Sequence, residues 1–167
     1  MDLWTYSPDE VSILIAGVVP VEGVVDDTFI SVSKSSPAIS STRTPDGMIS
    51  RVHTEDKTYD ISLTLMQSSP TNDVLTSLWM LDDITRRGKF PLFIKDGTGS
   101  TFIFSTSAWI EQIPEVSYGT SALVRTWTIK ASNCTINVGG NGDVNPLVSF
   151  LTGALAGYSA ISGILGG

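Results

Sequence analysis

Histidine and cysteine each occur once in this 167-residue chain, and charged residues make up only 16% of it. Those scarcities exclude much chemistry. One cysteine, Cys134, permits no internal disulfide and no zinc set built on cysteine pairs. No histidine is near it in sequence, so it reads as a buried thiol, not a nucleophile. The lone histidine, His53, lies in Arg51-Val52-His53-Thr54-Glu55-Asp56. With Glu55 and Asp56 it could hold a metal only weakly, because nothing completes the ligand set. The chain contains neither a Gly-x-Ser-x-Gly elbow nor a Walker-type phosphate loop. Asp96-Gly97-Thr98-Gly99-Ser100-Thr101 resembles a phosphate cradle only in its glycines, and a strand pattern follows it, so it reads as a hairpin turn. The adjacent acids Asp26-Asp27, Glu55-Asp56 and Asp82-Asp83 are poor acid–base partners, since neighbours in extended chain face opposite ways. No enzyme and no cofactor are expected.

Positive charge is also in short supply. Seventeen acids oppose ten basic residues for a formal net charge of -7, and six acids precede the first basic residue, Lys34. Such a surface mildly repels DNA and anionic membranes. Arg86, Arg87 and Lys89 form the one tight basic group, best explained by complementing a helix dipole. Residues 144–167 carry no charge, yet Asn145, Pro146 and five glycines argue against a membrane span. No span is expected, nor a leader at the Met-Asp-Leu-Trp start.

What the chain has is alternation. In 58–66, Tyr59, Ile61, Leu63 and Leu65 point one way and Thr58, Asp60, Ser62 and Thr64 the other. Further strands are expected at 11–19, 28–33, 90–94, 101–104, 107–113 and 124–131, with Arg125, Trp127 and Ile129 sharing a face. One principal helix should start after an N-cap at Ser69, with Pro70 in its first position. It should present Val74, Leu75, Leu78 and Trp79 to a sheet, carry Arg86 and Arg87 in its last turn, and stop at Gly88. Between the second and third strands, residues 33–58 are polar and centre on Pro45-Asp46-Gly47, a strong turn signal. A connection of that length is expected to protrude as a hairpin or loop with a function. Beyond the glycine-rich 139–142, apolar residues from Leu147 to Tyr158 recur at helical spacing in a glycine-weakened helix.

Several segments carry a family likeness. Thr5 to Val11, Gly23 with Phe29 to Val32, Ser68 to Leu75, Gly88 to Asp96 and Ala108 to Pro114 resemble the tail tube proteins of contractile-tailed bacteriophages. That family is similar to the inner tubes of type VI secretion systems. The likeness covers about residues 1–136, leaving 137–167 as a glycine-rich linker and apolar extension outside it. It implies a mainly β fold with one principal helix, in which two packed antiparallel sheets form a β-sandwich or barrel-like unit. It further implies hexameric rings stacked into a tube, with tail sheath and baseplate or terminator proteins as partners. DNA would pass through without specific binding. The place implied is the virion, with assembly in the host cytoplasm.

On that likeness the 33–58 loop, with Arg43, Asp46, Gly47, Arg51 and His53, would reach the next ring. Thr58, Asp60, Ser62 and Thr64 would line the lumen. Six copies would carry about -42 per ring, enough to repel passing DNA if the acids face inward. Two alternatives stay open. One is a baseplate or tail-terminator protein with a tube-like fold. The other is a small ligand-binding β-domain, whose pocket Trp4, Trp79, Trp109 and Trp127 would line, or an enzyme with a site shared between subunits.

Overall fold

Hydrophobic alternation becomes strand pairing in the computed structural model, which describes residues 5–141, residue 151 and residues 154–157. Ten strands and one α-helix follow in the order β1 (Val11–Ile15), β2 (Val19–Pro20), β3 (Ile30–Lys34), β4 (Ile39–Arg43), β5 (Ile49–His53), β6 (Tyr59–Met66), α1 (Thr71–Thr85), β7 (Phe90–Asp96), β8 (Phe102–Gln112), β9 (Val124–Ser132) and β10 (Thr135–Asn137). Eight strands form one antiparallel sheet in the order β2-β1-β7-β8-β9-β6-β3, with β10 also on β8. The remaining two, β4 and β5, pair only with each other.

β8 explains how one hydrogen-bonded sheet makes two packed layers. Its N-terminal half pairs with β7 and β10, and its C-terminal half with β9. Between these halves Phe90 faces Ala108 while Leu92 faces Ser105, so β8 holds one residue too many. This bulge switches the parity of its inward residues from Ile103 and Ser105 to Ala108 and Ile110. Alternation alone therefore reads two strands, 101–104 and 107–113, where one continuous strand turns the corner. The bulge is fastened by serines. Buried Ser105 donates to Ser132 O (2.6 Å) and accepts the Ser107 N–H (3.2 Å), while Ser132 donates to Ser107 O (3.2 Å).

The two layers, β2-β1-β7 with the first half of β8 and β9-β6-β3 with the second, share one apolar core. Ile13 and Ile15 of β1, Leu92 and Ile94 of β7, Ile61, Leu63 and Leu65 of β6, and Trp127 and Ile129 of β9 are all buried in it. Each such side chain contributes roughly 1.5–3 kcal/mol. Among the described residues the sheet does not close into a barrel, and β2 and β3 are its unpaired edges. Residues 11–19 differ from the single strand expected: the chain reverses at Ala16 and Gly17, both at positive φ, so β2 folds back on β1.

α1 lies against β8 and inserts Leu75 into the core, with Leu78 and Trp79 partly buried beside it. Val74 is half-buried. The helix starts one residue later than expected, at Thr71 with Pro70 in the N-cap position, although the Oγ of Ser69 still accepts the Thr71 N–H (3.2 Å). The buried Trp127 indole donates to Asn72 Oδ1 (2.9 Å), tying the first turn to β9. The far end departs from expectation. The helix stops at Thr85 because Arg86 itself adopts the left-handed conformation (φ 56°). Gly88 follows two residues later, buried where its N–H reaches Asp82 Oδ1 (3.0 Å).

Ser33 and Lys34 still belong to β3, and residues 35–58 form a hairpin that stands away from the core, every residue of β4 and β5 being exposed. Its tip is a turn over Thr44-Pro45-Asp46-Gly47, closed by Gly47 N–H to Thr44 O (2.9 Å), with Gly47 at φ 89°. Its root is held by Asp56. Oδ1 accepts the Thr58 N–H (2.9 Å) and Oδ2 the Ser36 hydroxyl (2.8 Å), while Ser35 N–H reaches Thr58 O (3.0 Å). Thr58 thus belongs to this root, one residue before β6. Of the carboxy-terminal helical reading, only residue 151 and residues 154–157 are described, and they are helical and exposed. The rest of 142–167 lies outside the described residues, as does Trp4.

Replacing Ser105 by Ala strands the Ser107 N–H and the Ser132 carbonyl inside the bulge, so Ser105→Ala should cost about 1–3 kcal/mol in urea unfolding. A midpoint unchanged from wild type would show that the bulge is not held by this hydroxyl. At the hairpin root, hydrogen bonds from Thr58 and Ser36 hold the Asp56 carboxyl below its ordinary 3.8. The folded value is the lower one, so this support is complete above 3.8 and is lost as pH falls through the folded value. Exchange protection at Thr58 and Ser35 should drop selectively in that acid window, and in Asp56→Asn already at neutral pH. Equal protection in variant and wild type at neutral pH would remove Asp56 from this role.

Candidate functional site

Three surfaces of the described residues stand out after the core is built. The first is the outward face of β3, β6 and β9. Register places Ser33 beside Asp60 and Asp60 beside Lys130, Ser31 beside Ser62 and Ser62 beside Thr128, and Thr64 beside Thr126. Thr64 and Thr126 exchange a hydroxyl contact at 3.3 Å. Asp60, Ser62 and Thr64 therefore share this face as the alternation requires, while Thr58 does not sit on the strand. The face carries one acid, Asp60, and Lys130 Nζ lies 3.5 Å from it. It is a hydroxyl surface with no net charge, and the chain's acidic surplus lies elsewhere.

The second surface is the β4–β5 hairpin. Cross-strand pairing sets Ile39 opposite His53, Ser41 opposite Arg51 and Arg43 opposite Ile49. Directly opposed residues share a face, so Arg43, Arg51, His53, Ile39 and Ile49 all project from one side. Asp46 and Gly47 occupy the tip, where the Thr44 hydroxyl holds the Asp46 carboxyl below its usual range. His53 is exposed, and no cluster of three or more metal-binding side chains occurs among the described residues.

The third surface could not be read from the sequence. The approach to β1 and the loop before β3 enclose an open groove of about 700 Å³. Tyr6, Phe29 and Ile30 supply apolar walls, and Asp9, Asp26 and Asp27 supply carboxylates. Its signal in sequence was the run of acids ahead of Lys34, but only folding brings 6–11 against 23–30.

Other chemistry-bearing residues have structural partners. Cys134 is buried, its Sγ 3.6 Å from Ala131 O, and burial pushes its thiol upward, away from the reactive thiolate. The three described tryptophans do not converge on one pocket: Trp79 and Trp127 border a groove of about 350 Å³, whereas Trp109 donates to Glu111 (2.9 Å) on β8. Asp96, drawn below its usual range chiefly by the Thr98 hydroxyl, organises the β7–β8 turn and receives Asn141 Nδ2 at 2.9 Å. Met80, Leu81 and Ile84 form an exposed apolar stripe on α1. No described helix is long and apolar enough to cross a membrane.

No protein-family model matches the chain. It is 31% identical over 149 residues to a structural protein, ORF10, of Pseudomonas phage KPP10, covering 85% of this chain and 86% of that protein. Among solved structures, the tube-terminating cap of the anti-feeding prophage shares the fold with a TM-score of 0.53 at 14% identity, over 81% of this chain and 93% of the cap chain. A chain of the sheath–tube complex of an extracellular contractile injection system, PVC, gives 0.52 at 12% identity, over 80% and 92% respectively. The role is structural and not enzymatic. The chain belongs to the family of phage structural proteins represented by ORF10 of phage KPP10, and its fold is the one seen in the tube and cap chains of contractile injection systems.

Proposed function

We propose that this protein is the repeating subunit of a phage tail tube, closing into rings of six that stack through the β4–β5 hairpin around a DNA-conducting lumen. The observation that carries the reading is that hairpin. It holds regular strand pairing yet leaves Ile39, Met48, Ile49 and Val52 between 44% and 68% exposed, with none of the described residues covering them. Side chains of that kind on an ordered arm suit a neighbour. The free edges β2 and β3 support ring closure, since an unpaired edge is a liability until a neighbour completes it. The exposed stripe Met80, Leu81 and Ile84 suits the partner that surrounds a tube, a sheath.

The face of Asp60, Ser62 and Thr64 is the proposed lumen wall. Screening limits fixed charges to about 8 Å at physiological salt, so acids elsewhere on the subunit add little at that surface. What DNA would meet is a hydroxyl wall whose one cation, Lys130, is already paired with Asp60. Low adhesion, more than strong repulsion, would let the duplex slide. A tube-terminating role is the second reading, favoured by the fold shared with the prophage cap.

Purified protein viewed by negative-stain microscopy separates the two: open-ended stacks support the tube, and single closed rings the terminator. Excising residues 39–53 and bridging Ala38 to Thr54, already joined by a 2.8 Å hydrogen bond, should leave the thermal midpoint nearly unchanged and abolish stacks. Normal stacks from that variant would remove the hairpin from stacking. Ser62→Lys should leave tubes intact but slow DNA ejection from particles carrying it, with relief at high salt. Ejection at the wild-type rate would place the lumen on another face.

A further inference from the structure

The hairpin's cationic side needs a receiving surface, and the subunit itself carries one. We propose that the Arg43–Arg51 face of one subunit's hairpin seats in the Asp9–Asp26–Asp27 groove of a second copy. This rests on the stacking role proposed above and names the surface it engages.

Charge is the first argument. The chain carries -7 overall, yet one side of the β4–β5 strands holds Arg43, Arg51 and His53 with no acid in either strand; Asp46 lies at the tip, and Glu55 and Asp56 at the root. Asp60–Lys130 is the single ion pair among the described residues, so Arg43, Arg51, Asp9, Asp26 and Asp27 all lack ionic partners within the described part of the subunit. Guanidinium and carboxylate form paired, directional hydrogen bonds, so two arginines facing three carboxylates fix register as well as attraction. Apolar groups match in the same way: Ile39 and Ile49 beside the arginines, Tyr6, Phe29 and Ile30 in the groove.

Geometry assigns the occupant to another copy. The hairpin leaves the sheet where β6 begins, at Tyr59. The groove lies by the other end of β6, where Met66 N–H reaches Gly23 O (2.8 Å) and Val24 pairs with Leu65. The strand between them, Tyr59–Met66, separates the two by roughly 23 Å, and the hairpin projects from the end away from its own groove. Donor and acceptor surfaces at opposite ends of one molecule make a head-to-tail contact, which repeats without limit along a stack.

Charge reversal tests this. Arg43→Glu with Arg51→Glu should reduce sedimentable polymer about tenfold or more, because like charges would then face each other. Asp26→Lys with Asp27→Lys should do the same. Each variant should keep the wild-type melting temperature within a few degrees, since all four residues are exposed. Combining the four substitutions in one chain should restore polymer, and mixing the two double variants should restore it by alternation. In a separate pair, Arg51→Cys with Asp27→Cys should form an intermolecular disulfide in stacks, with Cys134 too buried to compete. Restored polymer together with the cross-link establishes the contact. If the fourfold variant folds but stays unassembled, and no disulfide forms, the groove is not the receptor. Normal assembly of the variant carrying only Arg43→Glu and Arg51→Glu would overturn the contact as well. If excision of 39–53 also leaves stacks normal, the stacking role itself fails.

Discussion

Everything the surfaces can do depends on one burial: two layers of a single sheet must hide their apolar faces against each other. Period-two alternation makes this possible, because each strand that gives Ile61, Leu63 and Leu65 inward gives Asp60, Ser62 and Thr64 outward. The hydroxyl face is therefore the complement of the core. A one-residue slip of β6 would exchange them wholesale. α1 adds Leu75 to this core and leaves Met80, Leu81 and Ile84 on the far side, so the helix is both a lid and an outer surface.

Legibility from sequence followed the same physics. β6 and β9 are plain because one wet and one dry face produce strict alternation. β8 reads as two strands because its bulge changes parity in mid-strand, and the residues that fasten it, Ser105 and Ser132, look like ordinary polar positions. The 11–19 run hides a reversal because an apolar stretch has no alternation to lose; only Gly17 hints at it. The end of α1 is displaced from Gly88 to Arg86, a residue that seldom takes the left-handed conformation but can do so where the chain must turn back to β7. The hairpin is foreseeable from Pro45-Asp46-Gly47, while the groove is not, because its two walls come from segments separated by β1 and β2.

Electrostatics sorts the molecule more finely than its net charge suggests. The sheet's polar face is a hydroxyl surface holding one ion pair. Carboxylates instead border the groove ahead of β3, and cations collect on one side of the hairpin. The count of -7 is correct as a sum and silent about this separation, which depends on strand register.

The bend in β8 has a mechanical consequence. Two sheets that touch only through side chains have no covalent link against shear. Here one covalent strand crosses from layer to layer, locked at the corner by Ser105 and Ser132. Sliding would have to break that strand's backbone ladder on both sides at once. A wall assembled from such units would resist torsion and compression through its own main chain.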